Sequence, residues 1–380
     1  MSLLQPEFEE GTILDIGGSK LPSTLKALVC KFIFPKDTSE TPLLPSALMW
    51  DDTGLNLFRQ ITRNPTYNLM ADELSLIKEN LGVIADSVKD ASTIIDLGSG
   101  DFRKLRLLLS ALSQAGKRIT YYAVDLSRDS LQDNLAQFAK QGYPPTTKGY
   151  GLWGTFNDAH SWLSRFPRGE GPRYFCSLGS QLGNDYFPET VRIWRQWATL
   201  LNSNGRGEGD KGDRFLVGLD ATSDRTRLWA SYHGDDAEGY NSLFEKYIRN
   251  GFSHSNKVLG VPWYKHGDWD IDGEIVEEPY TMHRFVLTAR TDVEIRVPPG
   301  GLGGDKGESQ QGLHQGDPLV KKFTKGDRIH CYEAFKYGPE VVLRQFEEAG
   351  YDLLSRWSTA DGTWREKPPI RKPFHKYQYC

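Results

Sequence analysis

Ile94-Ile95-Asp96-Leu97-Gly98-Ser99-Gly100-Asp101-Phe102-Arg103-Lys104, followed by Tyr121-Tyr122-Ala123-Val124-Asp125-Leu126-Ser127, is the stretch that decides the fold. Its first part reads as an apolar strand running into a glycine loop that opens a helix. Its second part reads as the next strand, ending in an acid. Together they form a nucleoside cradle at the carboxyl ends of neighbouring parallel strands. Gly98 and Gly100 let backbone approach the ligand, and Asp125 can accept hydrogen bonds from a ribose diol. Arg103 stands where a dinucleotide fingerprint would carry its third glycine. Without that glycine a pyrophosphate is disfavoured, and the pattern points to a phosphate-free nucleoside such as S-adenosylmethionine rather than NAD.

The helix opened by this loop is read over Phe102–Gln114, because Leu105, Leu108, Leu109 and Leu112 recur at spacings of three and four. Outward from it the chain alternates. Strands are expected at Thr93–Asp96, Thr120–Asp125, Gly149–Trp153, Tyr174–Leu178 and Phe215–Asp220. Helices are expected at Ser130–Lys140, Asp158–Phe166 and Glu189–Leu201, with Ser127 or Asp129 capping the first of these. Apolar strands alternating with helices predict an α/β fold, a parallel sheet covered on both faces.

Composition bounds what such a sheet can serve. The 380 residues suffice for one large domain or two unequal ones. With 38% hydrophobic and 25% charged residues the chain reads as a soluble globular protein, and a formal charge of −4 argues against a general nucleic-acid binder. Cys30, Cys176, Cys331 and Cys380 are scattered and lack histidine neighbours, so no metal site is expected and a reducing compartment is. The acidic N-terminus is not a signal peptide, and no run of 18 apolar residues exists, so the expectation is a cytoplasmic protein with no membrane partner.

Around the sheet, residues 1–80 form a preface with helices at Leu55–Arg63 and Ala71–Asn80, read as a lid or substrate-domain segment. The cofactor-binding domain is placed at 81–225. An inserted α+β substrate domain is placed at 226–337, with a helix over Ala237–Asn250 and long strands over Thr281–Arg296 and Arg328–Tyr337. The glycine-rich stretches 202–212 and 298–317 read as loops, the latter flexible. Residues 338–380 return to the core sheet through a helix at Pro339–Ala349 and a strand at Tyr351–Trp357, then form a tail.

Several residues invite a functional reading, each with a structural alternative. The N-terminus of the first sheet helix suits a carboxylate, and Lys104 could add charge or be an ordinary solvated lysine. Gly154-Thr155-Phe156 follows the third strand, where a base contact or a plain loop are equal options. Gly179, Gly183 and Asn184 follow the fourth strand; Asn184 could meet a substrate or cap a helix. Tyr67, Tyr232, Phe285, Tyr332 and Phe335 are aromatic residues in segments expected around the sheet's mouth, and most such rings are core. Glu333, on a strand, reads more readily as facing solvent.

The ordered set of motifs resembles a known family. Leu57-Phe58-Arg59-Gln60-Ile61-Thr62, Asp96–Gly100 with Lys104, Val124–Ser127, Leu178–Asn184, Gly218-Leu219-Asp220, Leu228–Tyr232 and Glu333–Tyr337 are similar to stretches of the S-adenosylmethionine-dependent methyltransferases that include the histidine-specific enzymes of ergothioneine synthesis. The closer likeness is to fungal members typified by 4-dimethylallyltryptophan N-methyltransferases. That resemblance implies a Rossmann-like sheet with a helical lid and an inserted substrate domain. It implies cofactor contacts from Gly98, Ser99, Gly100, Lys104, Asp125, Thr155 and Phe156. Substrate contacts are implied for Tyr67, Gly179, Asn184, Tyr232, Phe285, Glu333 and Phe335, with Tyr232 and Glu333 as the catalytic pair. This sequence has Thr155 where the histidine enzymes have an acid, Phe335 where they have serine, Phe285 roughly where they have methionine, and Asn68 where a second tyrosine is common.

The expected function is transfer of a methyl group from S-adenosyl-L-methionine to the amine of an aromatic amino-acid derivative, tryptophan-like or prenylated, in secondary metabolism such as alkaloid synthesis. O-methylation of a tyrosine-derived phenol and a non-catalytic cofactor-binding regulator stand as alternatives, with a dehydrogenase behind them. The partner is a small aromatic molecule. The oligomeric state is open, a homodimer being compatible with the reading.

Overall fold

The computed structural model describes residues 8–35, 40–166, 169–201, 212–234, 241–298, 318–359 and 376–379. The expected loops at 202–212 and 298–317 lie outside these residues for all but their ends, as does Cys380. The chain divides into two compact units: Met1–Gly18, Tyr67–Asp224 and Phe335–Cys380 form the first, and Ser19–Thr66 with Arg225–Ala334 the second. Residues 1–80, taken together above, are therefore shared between the two.

In the first unit an eight-stranded sheet runs, edge to edge, through Ile13–Asp15, Thr147–Trp153, Ile119–Asp125, Ser92–Leu97, Arg173–Ser177, Arg214–Val217, Lys376–Tyr379 and Asp352–Arg356. Each of its pairings is parallel. The central strand Ser92–Leu97 is buried along its whole length, its polar Ser92, Thr93 and Asp96 included. Successive residues serve opposite faces. On one face Ile94, Tyr121, Tyr174 and Leu216 join Leu105, Leu108, Leu109 and Leu112 of helix Arg103–Gln114, together with Leu76, Ile77, Ile84 and Val88 of the helical segment before the sheet. On the other, Phe175 and Phe215 stack at 4.8 Å and meet Trp197 and Trp194 of helix Phe187–Leu201.

Most predicted and observed boundaries in this unit differ by a residue or two; the helix expected from Ala71 begins three residues earlier, at Asn68. The fifth strand ends at Val217: the Gly218 N–H still donates to the Ser177 carbonyl at 2.9 Å, and a Cβ on Gly218 would lie 1.7 Å from the Glu73 carboxylate. Ser127 is the cap of helix Arg128–Ala139, its hydroxyl accepting the Ser130 N–H at 3.1 Å.

The second unit holds a four-stranded sheet of Leu43–Leu44, Arg328–Phe335, Met282–Ala289 and Trp269–Val276, and an antiparallel pair of Val293–Val297 with Leu319–Phe323. The long strand expected over 281–296 is thus two strands in different sheets. Apolar alternation continues through Val293, Ile295 and Val297, so the pattern conceals the break. The break comes at exposed Arg290-Thr291-Asp292, where Arg290 N–H donates to the Asp268 carbonyl and Asp292 accepts from Lys325 N–H. Helices Leu21–Ile33, Asp52–Ile61, Arg225–His233 and Asn241–Leu259 complete the unit. Asp51 caps the second of these, accepting the Gly54 N–H at 2.9 Å, and a side chain at Gly54 would stand 1.9 Å from the Met49 carbonyl oxygen.

Among the described residues no helix is long and apolar enough to cross a membrane.

Candidate active site

From Ser92–Leu97 the chain builds strands outward on one side, then returns to place Arg173–Ser177 on the other. The reversal is a topological switch point, where the carboxyl-end loops of adjacent strands part and leave a crevice. The glycine loop after Leu97 and the loop Leu178–Asn184 after Ser177 flank that crevice.

The glycine loop needs its glycines. Gly98 has φ of 74°, a left-handed value, and a Cβ there would come within 2.2 Å of Gln181 Oε1 in the facing loop. At Gly100 a Cβ would find nothing nearer than the Gly98 carbonyl oxygen at 3.8 Å, so this turn presents bare backbone. Ser99 Oγ accepts from Asn134 Nδ2 at 3.0 Å, which pins the loop to helix Arg128–Ala139.

Asp125 holds the loop from the neighbouring strand. One carboxylate oxygen accepts the Gly100 N–H and the other the Ser127 N–H, each at 3.0 Å. These two bonds orient the carboxylate at the end of its strand.

Lys104 is not a solvated helix lysine. It lies on the buried stripe with Leu108 and Leu112 and is 9% exposed. Its ammonium is ion-paired with Glu73, which also accepts the Gly179 N–H at 2.8 Å. Glu73 was not singled out in the sequence, although a signal was there: it stands three residues from Met70 and Leu76 and four from Ile77, on one buried helix face.

Below the loop, Asp96 is buried and accepts the Tyr121 hydroxyl at 3.1 Å. Burial pushes its carboxyl up to about 7, with Asp125 and Glu73 adding to the effect and the Tyr121 bond and Lys104 opposing it. An unfolded aspartate titrates near 3.9. Between those values the native state keeps a proton that the unfolded chain has lost, so Asp96 favours folding at low pH and loses that contribution as pH rises through about 7. Asp96→Asn, neutral at every pH, is expected to gain thermal stability relative to the parent as pH rises from 5 to 8, by roughly a few degrees in Tm. A difference in Tm that does not change across that range would refute the assignment.

After the third strand, Thr155 closes a capping box with Asp158: its hydroxyl accepts the Asp158 N–H, and its own N–H donates to that carboxylate at 2.9 Å. Its polar atoms are thus occupied locally, and half-buried Phe156 begins the helix beside it.

Asn184 bonds far along the chain. Its Oδ1 accepts the Phe335 N–H at 2.8 Å, which defines the amide's donor end. Phe335 is buried edge-on against Tyr186 at 4.8 Å and parallel to Tyr337 at 5.5 Å. Lys336, buried, pairs with Asp220, whose N–H donates to Ser180 Oγ at 3.3 Å. Gly179 adopts φ of 84°, and buried Tyr67 precedes helix Asn68–Glu79.

The second unit gathers the other candidates. Tyr232 is buried, stacks on His283 with ring centroids 4.1 Å apart, and neighbours Phe244 at 5.1 Å and Phe285 at 6.3 Å. Tyr332 joins this cluster, 6.3 Å from Tyr232, with φ of 49°, a strained value for an aromatic residue. His233 and His283 place their Nε2 atoms 2.9 Å apart, and burial holds the His233 imidazole down to about 4. Gly273 makes room for this pair, since a Cβ there would lie 2.1 Å from His233 Nε2. Glu333 does not face solvent: its side chain is 11% exposed and lies 3.6 Å from the Arg284 guanidinium, which also pairs with Glu274. No group of three or more metal-ligating side chains occurs among the described residues.

Bare glycine backbone, an orienting strand-end carboxylate and a buried ammonium suit a nucleoside carrying an amino-acid tail. These features define an α/β nucleoside-binding protein of the S-adenosylmethionine-dependent class. The chain belongs to the family described as "Histidine-specific methyltransferase, SAM-dependent", which it matches over residues 27–366. It is 30% identical over 359 residues to "Ergothioneine biosynthesis protein 1" of Neurospora crassa, covering 94% of this chain but 36% of that protein's length. It is 27% identical to "N-methyltransferase dtpB" of Aspergillus flavus, over 84% of this chain and 82% of that one. It is also 27% identical to "4-dimethylallyltryptophan N-methyltransferase easF" of Epichloe festucae var. lolii, over 83% and 87% respectively.

Proposed function

We propose that the protein methylates the amine nitrogen of an aromatic, tryptophan-like amino-acid derivative, prenylated ones included, as a step of fungal secondary metabolism. S-adenosylmethionine, when bound, supplies the methyl group on a sulfonium. Gly98, Ser99 and Gly100 offer it backbone, Asp125 accepts from its ribose, Lys104 provides charge for its carboxylate, and Thr155 and Phe156 border its base. Tyr67, Gly179, Asn184, Phe285 and Phe335 are assigned to substrate binding. Tyr232 and Glu333 are assigned to the amine.

An ammonium has no lone pair to attack with, so the residues facing the amine must favour its neutral form and align it. Tyr232 orients the head group, and Glu333, its position set by Arg284, accepts or directs the proton.

The ring cluster of Tyr232, Phe244, Phe285 and Tyr332 is the observation that carries the aromatic reading. Its rings already meet one another by edge and face, the modes in which an aromatic substrate ring would be met beside them. The relatives named as N-methyltransferases support nitrogen as the acceptor.

Incubation with labelled cofactor and a panel of tryptophan, tyrosine, histidine and prenylated derivatives tests the reading by mass spectrometry; methylation of histidine in preference to every aromatic candidate would overturn it. Phe335→Ser is expected to lower kcat/KM for a bulky aromatic substrate by about tenfold, the order of an apolar contact of 1–3 kcal/mol. An unchanged kcat/KM would remove Phe335 from substrate recognition.

A further inference from the structure

Glu73 meets three of the chain segments that follow sheet strands at their carboxyl ends. Its carboxylate pairs with Lys104 on the helix after the first, and accepts the Gly179 N–H in the second. In the third, a Cβ on Gly218 would lie 1.7 Å from Glu73 Oε1. Gly218 therefore exists as glycine to admit this carboxylate. The side chain is 4% exposed, and nothing in the expected function uses it.

A buried lysine needs a partner, and the partner's position decides where the ammonium points. An ammonium carries three donors. Glu73 engages one of them, and the same carboxylate accepts the Gly179 N–H at 2.8 Å, in the loop facing the glycine loop. A Cβ on Gly179 would stand 3.4 Å from Lys104 Nζ, so that backbone and the ammonium line one corner.

We propose that Glu73 is a positioning residue for the amino-acid end of the cofactor: it aims the Lys104 ammonium and sets the Gly179 corner, and does not contribute to holding the nucleoside end. This assignment rests on the cofactor reading of the glycine loop. It separates the two ends of one ligand, which a purely structural role would not do.

The test compares S-adenosylhomocysteine with 5′-methylthioadenosine, which keeps the nucleoside and thioether but lacks the amino-acid tail. By calorimetry, Glu73→Gln is expected to weaken S-adenosylhomocysteine about tenfold or more while changing methylthioadenosine less than about twofold. Glu73→Asp, which retains the charge one methylene short, is expected to show a smaller loss confined to the same ligand, and it carries the test if the glutamine variant does not fold. Equal losses for both ligands, no loss for either, or tighter S-adenosylhomocysteine binding would overturn the assignment while leaving the cofactor reading intact. Parent protein that binds neither ligand would overturn the cofactor reading, and this assignment with it.

Discussion

Asp125→Ala is expected to weaken S-adenosylhomocysteine by about 100-fold or more, an effect of roughly 3 kcal/mol. Two losses combine. On the proposed reading the ribose hydroxyls lose a charged acceptor, worth about 1.5–3 kcal/mol for a bond to a charged group. The glycine loop also loses the carboxylate that receives the Gly100 and Ser127 N–H groups, so its bare backbone is no longer held in the form a ligand meets. Asp125→Asn, which keeps one acceptor oxygen but not the charge, is expected to fall between alanine and the parent. Calorimetric titration of all three proteins decides the matter: an affinity for the alanine variant within a few-fold of the parent would remove Asp125 from the nucleoside site.

The second large effect is on the sheet that carries the site. Arg173 and Asp213 form a buried ion pair at the amino end of the fourth strand, 4% and 7% exposed. The Asp213 carboxylate accepts the Arg173 backbone N–H at 2.8 Å and two guanidinium donors at 3.1 and 2.9 Å, while the guanidinium also donates to the Leu200 carbonyl at 2.7 Å. Arg173→Met leaves a buried carboxylate without its counter-charge, a loss of about 3–5 kcal/mol. The melting temperature is expected to fall by on the order of 10 °C. The double variant Arg173→Met, Asp213→Leu is expected to recover much of that loss, because the desolvation of both charges is removed together. If the double variant were no more stable than the single one, packing around the methionine rather than the stranded charge would be the cause.

Much of the first unit was legible from residues. The run Ile94–Gly100 and the leucine stripe from Leu105 to Leu112 specify strand, loop and helix through local periodicity and glycine's conformational freedom, and these act over a few residues. The short edge strand Ile13–Asp15 was not legible, because three residues pairing with Gly151–Trp153 carry no period of their own. The break at Arg290–Asp292 escaped for a related reason: alternation resumes in phase, and no glycine or proline marks the turn.

The site was legible unevenly. Gly98, Gly100 and Asp125 announce themselves through spacing. The misread residues are those whose role depends on a partner far away in the chain. Glu333 reads as a solvent residue until Arg284 is placed beside it. Asn184 reads as a cap until its carbonyl oxygen is seen holding Phe335.

The sequence by itself determined the parallel sheet, the glycine loop and the acid facing it, since those follow from chain-local sterics and the burial of apolar strands. The tertiary structure decided the charges. Lys104 and Glu73 are 31 residues apart. Lys336 and Asp220 are 116 apart. No periodicity links such positions, and only the requirement that a charge withdrawn from water find an opposite partner brings them together.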